Sequence, residues 1–198
     1  MVDFKAFKGW RPPAQLAKDV ASVPYDVLST AEAREIISGN PKSMMRVIRP
    51  DGELPEGTSL YSEAAYKQAA SAFDELIEAR LLIQDEAPHF YVYAQQMGTH
   101  RQVGLMGLGS TQDYLNDRIK KHEFTRPEKE NDRVRHIETV GAHLGPVFLS
   151  YRGRSTIDEL VASVLVSAPT VSFTAEDDIM HELWAVSDPE IVQHIQKA

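Results

Sequence analysis

One continuous stretch constrains this chain more than any other. Residues 119–151, IKKHEFTRPEKENDRVRHIETVGAHLGPVFLSY, run from dense charge through an amphipathic helix into a short apolar segment. Thr125 followed by Glu128 has the pattern of a capping box, and Pro127 falls in the first helical turn, where its missing N–H costs nothing. The pattern predicts a helix from near Arg126 to near Gly145 and a buried strand over residues 146–151. At about 100° per residue, Arg126, Lys129 and Arg133 fall within about 60° of one another, and Ile137, Val140 and Leu144 continue the same sector. The basic stripe and the apolar stripe therefore share a face. Because the apolar part must face the protein, the cations are expected to point inward or along a cleft edge, where an unpaired charge is costly. Each then needs something negative: the chain's own Glu123, Glu130 or a distant carboxylate, or an anionic ligand at a helix N-terminus that already favours one.

Composition narrows what such a ligand could be. The 198 residues, 42% of them hydrophobic, suffice for one sizeable domain or two small ones. A net charge of −8 and a pI near 5.4 argue against a general binder of nucleic acid or acidic membrane. No apolar run approaches the ~20 residues of a membrane span, and MVDFKAFKGW lacks a signal-peptide apolar region. The absence of cysteine removes disulfides, thiolate metal sites and cysteine nucleophiles. A soluble, cytoplasmic protein is expected, with neither nucleic acid nor membrane as partner.

In chain order, residues 4–10 read as a short strand closed by Arg11-Pro12-Pro13, and residues 14–21 as one or two helical turns. The segment VPYDVLS, residues 23–29, is extended and feeds a helix whose capping box is Ser29 with Glu32 and whose end is marked by Gly39. Residues 44–49, MMRVIR, alternate as a strand would. After an acidic, Gly- and Pro-containing loop, a long amphipathic helix is predicted over residues 59–82, with Tyr66, Ala69, Phe73, Leu76 and Ile77 on its apolar side. Residues 89–96 and 100–108 form a hairpin around Met97-Gly98-Thr99. Thr156 with Glu159 caps a helix over residues 157–166. Residues 170–175 and 183–186 read as strands around the acidic turn Glu176-Asp177-Asp178, and a last helix begins at Ser187. The mixture of helices, one clear hairpin and two short βα alternations predicts a single α+β domain over residues 1–198, with a mixed, largely antiparallel sheet and packed helices.

Three segments carry a further signal. VASVPYDVLSTAEAREIISGNPKSMMRVIRPD (residues 20–51), KHEFTRPEKENDR (residues 121–133) and GPVFLSY resemble, in order and spacing, the uncharacterised prokaryotic family known as domain of unknown function 1015. The resemblance covers most of the chain but only the first half of such proteins. Full-length members are about twice as long, and their second half carries an Asp-Gly-His-His-Arg motif similar to one in the ParB, sulfiredoxin and free-serine-kinase group; that motif is absent here. The family has no established activity, so the resemblance implies a fold, and nucleotide or phosphate chemistry, without naming a reaction. It also implies that this chain is the N-terminal half of a longer protein and would not be catalytically complete alone.

The residues themselves admit two readings. Lys121, His122, Glu123, Arg126, Glu128, Lys129, Asp132 and Arg133 can form a network of salt bridges on a solvated face. Alternatively they line a phosphate or carboxylate pocket, with Arg126 and Arg133 making bidentate contacts, Lys129 and Lys121 supplying charge, and His122 or Glu123 acting as general acid or base. Tyr25 and Asp26 either build an ordinary Asx-type turn or stand beside those cations, with Asp26 as base or counter-charge. Gly104, Gly107 and Gly109 precede a helix start at Ser110 or Thr111, yet their spacing matches neither standard phosphate fingerprint, and close packing is the alternative. No metal site is expected: His122-Glu123 lacks a second histidine at the zincin spacing, and His136 and His143 lie about 10 Å apart on one helix.

Two functions of different class follow. One is an anion-binding module, for phosphate or a nucleotide, of a kinase-like phosphotransferase whose second half is absent. Its ligand-binding residues would be Tyr25, Lys121, Arg126, Lys129 and Arg133, its catalytic residues Asp26, His122 and Glu123, and its cofactor, otherwise open, a nucleotide with magnesium. The other is a non-catalytic interaction or regulatory domain that packs on a missing C-terminal half or forms a homodimer, and it predicts an exposed apolar patch.

Overall fold

The structure, a computed structural model, describes residues 2–122 and 124–197, so the expectation for Glu123 lies outside the described residues. The fold is α+β. The chain divides into two compact units, one made of Met1–Lys18, Gln84–Glu123 and Val147–Ala198, the other of Asp19–Ile83 and Phe124–Pro146. Among the described residues no helix is long and apolar enough to cross a membrane.

The first unit is built on a four-stranded antiparallel sheet in the order His100–Met106, Phe90–Met97, Met180–Val186, Val171–Thr174. Its hairpin turns at Gly98, whose φ of 58° is a conformation glycine adopts without strain. The register sets Tyr93 opposite Gly104 on one side and Leu183 on the other. Alternation then sends Phe90, Val92 and Ala94 to one face. There they bury with Trp184 and Val186 against Val164 of the Ser155–Leu165 helix and Ile195 of the Pro189–Lys197 helix. The last helix starts later than Ser187 predicts, because the Asp188 carboxylate accepts the backbone N–H of Glu190 and Ile191. Likewise Thr156 and Glu159 form no box; Arg154 is the N-cap, with no side-chain cap.

The glycine-rich segment serves packing. Phe4 stacks on Phe90 with centroids 5.2 Å apart, and a Cβ at Gly107 would lie 2.5 Å from that Phe4 ring. Phe4–Lys5 pairs antiparallel with Leu108–Gly109, so the predicted strand over residues 4–10 contracts to two residues there and a pair at Trp10–Arg11. The connecting chain is anchored by charge. Asp85 accepts the Arg11 guanidinium at 2.7 Å and the Tyr91 hydroxyl at 2.7 Å, and that hydroxyl accepts the Gly9 N–H at 2.9 Å.

The second unit is helical. The Ser29–Glu32 capping box forms and starts the helix Thr30–Gly39. Residues 44–49 do not form the predicted strand: Met45–Ile48 is a helical turn, started by the Ser43 hydroxyl accepting the Met45 N–H, and Pro50–Gly52 continues as 3₁₀ helix. Covered on both sides, by Thr30–Gly39 and by the long helix Glu63–Glu78, it buries Met45 and Val47 fully. The long helix is shorter than predicted, begun by the Ser62 hydroxyl accepting the Ala65 N–H, and it buries Tyr66, Ala69, Phe73 and Leu76 as expected. The central helix runs over Pro127–Val140. Thr125 and Glu128 form no capping box, because the Thr125 hydroxyl donates to Glu130 instead, and Arg126 is the N-cap. The helix stops at Gly141, with φ of 75°, rather than near Gly145, since an αL glycine ends the hydrogen-bonded ladder. Residues 146–151 form no strand; in the first unit Val147 is 86% exposed and Phe148 79%.

Two outcomes test this packing. Gly107→Ala should lose about 1–3 kcal/mol in urea unfolding, because the methyl group meets the Phe4 ring, whereas Gly104→Ala, with nothing within 4 Å, should lose nothing. Burial alone would raise the Asp85 carboxyl, but the Arg11 and Tyr91 bonds outweigh it and hold it below 3.8. Its contribution is therefore complete above that value and vanishes as pH falls through the lower folded one, so Asp85→Asn should flatten the acid limb of stability between neutrality and strong acid.

Candidate functional site

The site is assembled on the central helix, whose inward stripe is Asp132, His136 and Val140 at i, i+4 and i+8. Asp132 is 5% exposed. A carboxylate so placed must be answered by donors, and two are supplied. The Tyr66 hydroxyl, projecting from the long helix, donates to Oδ1 at 2.7 Å. Arg133 donates to Oδ2 through Nε at 2.9 Å and Nη2 at 2.6 Å. Burial, and then this bond to a carboxylate, push the Tyr66 phenol up to about 12. One turn on, His136 Nε2 lies 3.0 Å from the Val47 carbonyl, which can only accept, so Nε2 carries the proton. Burial holds the imidazole below its ordinary value.

Outside this buried row the helix carries its cations against tyrosines. The Arg133 guanidinium lies 4.3 Å from the Tyr25 ring centre, Lys129 Nζ 5.2 Å from that of Tyr61, and the Arg135 guanidinium 4.7 Å from that of Tyr66. Lys129 also donates to the Tyr61 hydroxyl at 2.5 Å, and that bond raises its affinity for the proton. Tyr61, Tyr66, Glu128, Lys129, Asn131, Asp132 and Arg135 enclose a cleft of about 390 Å³. Its walls carry both signs of charge and two aromatic faces, an arrangement suited to a small polar ligand with an ionised group and not to an apolar one.

The turn that brings Tyr25 to Arg133 has its own anchor. Arg49, 6% exposed, grips both oxygens of Asp51, itself 1% exposed, from Nε at 3.0 Å and Nη2 at 2.8 Å. Its Nη1 donates to the carbonyls of Tyr25, at 3.1 Å, and Leu28. Burial would raise the Asp51 carboxyl, yet the bonds from Arg49 and Thr30 lower it, so the pair is ionic.

The predicted residues thus divide. Tyr25 meets Arg133, and Lys129 lies one turn away on the same helix. Arg126 and Asp26 are both exposed, and among the described residues no ion pair joins them. Lys121 and His122 belong to the first unit, where Lys121 Nζ sits 4.9 Å from the centre of the Tyr114 ring and His122 is exposed. Glu123 lies outside the described residues. The sequence pattern placed Tyr66 on the apolar side of its helix but not at the site, and did not single out Tyr61, Arg135, Arg49 and Asp51. Tyr66 carried a signal, since a phenol on an otherwise apolar helix face needs a hydrogen-bond partner. Arg49-Pro50-Asp51, two charges directly after an apolar run, carried another.

Comparison with curated proteins and with solved structures yields no match. The family described as "Protein of unknown function (DUF1015)" matches residues 4–198. The chain belongs to that family, over essentially its whole length.

Proposed function

We propose that the helical unit binds a small phosphate-bearing anion on the face of the central helix that carries Arg126, Lys129 and Arg133. The observation that supports this best is Lys129, an ammonium beside the cleft whose hydrogen-bond partner is the phenol of Tyr61 and not a carboxylate. A neutral phenol orients the ammonium without forming an ion pair with it, so its charge is left to act on an anion. Lys129 would act as a point charge and Arg126 as an exposed guanidinium at the N-terminus of a 14-residue helix, whose dipole has the same sign. Arg133, with Nε and Nη2 on Asp132, keeps Nη1 for the ligand. Asp26, exposed in the turn that follows Tyr25, would be the proton acceptor. Among the described residues no group of three or more His, Asp or Glu side chains is placed to hold a metal ion, and a magnesium ion would enter with the ligand's own phosphates.

A second reading, a non-catalytic interaction domain, is supported by a different observation. Val147, Phe148, Leu149 and Tyr151 are exposed by 86, 79, 53 and 60%. Four large apolar side chains exposed within five residues favour a partner surface.

The two readings separate by experiment. Under the first, millimolar orthophosphate, pyrophosphate or ADP raises the melting temperature, and Lys129→Ala removes most of that rise while leaving the ligand-free melting temperature essentially unchanged, because the Lys129 ammonium is solvated. Unchanged melting with all three anions contradicts it. Under the second, the chain associates at high micromolar concentration in light scattering and Phe148→Asp restores a monomer. A monomer at every concentration counts against that reading.

A further inference from the structure

We infer that Arg49 and Asp51, with Thr30, are positioning residues of this face: they hold the turn over residues 24–28 so that the Tyr25 ring lies on Arg133 and sets the plane of its guanidinium. The functional meaning rests on the anion reading above; the positioning itself rests on geometry.

The turn has little of its own to hold it. Its internal backbone bond, Val27 N–H to the Pro24 carbonyl, spans 3.5 Å, the outer limit of a hydrogen bond. Leu28 packs against Ala33, Ile37 and Met45 at its far end, and what ties the backbone is one buried guanidinium, whose Nη1 takes the carbonyls of Tyr25 and Leu28 together. The guanidinium is fixed in turn by both oxygens of Asp51 and by the Thr30 hydroxyl oxygen, 3.1 Å from Nη2. Thr30 closes the ring by donating to Asp51 Oδ2 at 2.6 Å. An ammonium at position 49 could not reproduce this, since a fork of donors in one plane reaches two carbonyls and a carboxylate at once and a point charge does not.

The consequence is carried by Tyr25, whose backbone carbonyl is gripped while its side-chain ring extends to Arg133 at 4.3 Å. Two constraints then fix the Arg133 fork. Asp132 sets its direction within the plane, through Nε and Nη2, and Tyr25 sets the tilt of the plane. Nη1 is left with one orientation. A ligand anion meeting it finds a pre-set donor and does not have to order a free arginine, which is how preorganisation raises affinity.

The test uses the Arg133 Nε–H resonance, shifted by the Tyr25 ring current, together with a pyrophosphate titration. Tyr25→Leu defines the signal without the ring, and Tyr25→Phe should keep both signal and affinity. Arg49→Lys should move the resonance most of the way to the Tyr25→Leu position and weaken pyrophosphate several-fold. If Arg49→Lys does not fold, Thr30→Val, which keeps both charges, carries the same comparison with a smaller displacement. A folded variant of either kind whose Arg133 resonance stays at the wild-type position overturns the inference. If the resonance moves as expected but pyrophosphate binds neither wild type nor variant, the positioning stands and the anion reading falls.

Discussion

The helical unit depends on a carboxylate placed where water does not reach. Asp132 lies on the inward stripe of the central helix, and its two oxygens are met by the Tyr66 hydroxyl and the Arg133 fork. A hydrogen bond to a buried charge contributes about 1.5–3 kcal/mol, and removing one partner from such a group costs more than the bond itself contributes. This interaction fixes the rotation of the helix about its axis. With Asp132 inward, His136 reaches the Val47 carbonyl, Val140 enters the core, and Gly141 terminates the helix just beyond.

Everything proposed for the outer face follows from that rotation. Lys129 and Arg133 are turned toward Tyr61 and Tyr25, and Arg135 toward Tyr66. The unit thus manages its positive charge in two ways. Arg49 is spent entirely on a buried carboxylate, the Thr30 hydroxyl and backbone carbonyls, while Arg133 gives Nε and Nη2 to Asp132 and keeps Nη1 outside that pair. Lys129 is set against a phenol, which orients an ammonium without neutralising it. That difference, and not the number of basic residues, distinguishes a structural ion pair from a surface able to receive an anion.

Much of this architecture was legible in the sequence. The hairpin, the Ser29–Glu32 capping box, the apolar face of Glu63–Glu78 and the pairing of the last two strands all follow from local patterns whose physics is local. The central helix was legible in existence but not in phase. Its apolar residues are few, so the predicted inward direction followed Ile137, Val140 and Leu144; Val140 is buried as expected, but the rest of the buried row passes through Asp132 and His136, the latter about 80° from Arg126 at ~100° per residue. A polar residue that is buried because distant donors answer it leaves no mark in hydropathy. Residues 44–49 were misread because alternation in a short apolar segment does not distinguish a strand from a helical turn covered on both sides. Residues 146–151 show the reverse limit: an apolar run states what a segment would gain by burial, not that a partner surface is present.

The most direct test of the account is a double-mutant cycle between Tyr66→Phe and Asp132→Asn, read by urea unfolding of the whole chain. If the shared carboxylate seats the helix, the two changes are coupled by about 1–3 kcal/mol. Effects that add to within about 0.3 kcal/mol would mean that the phenol and the carboxylate act independently, and the orientation of Lys129 and Arg133 would then lack its cause.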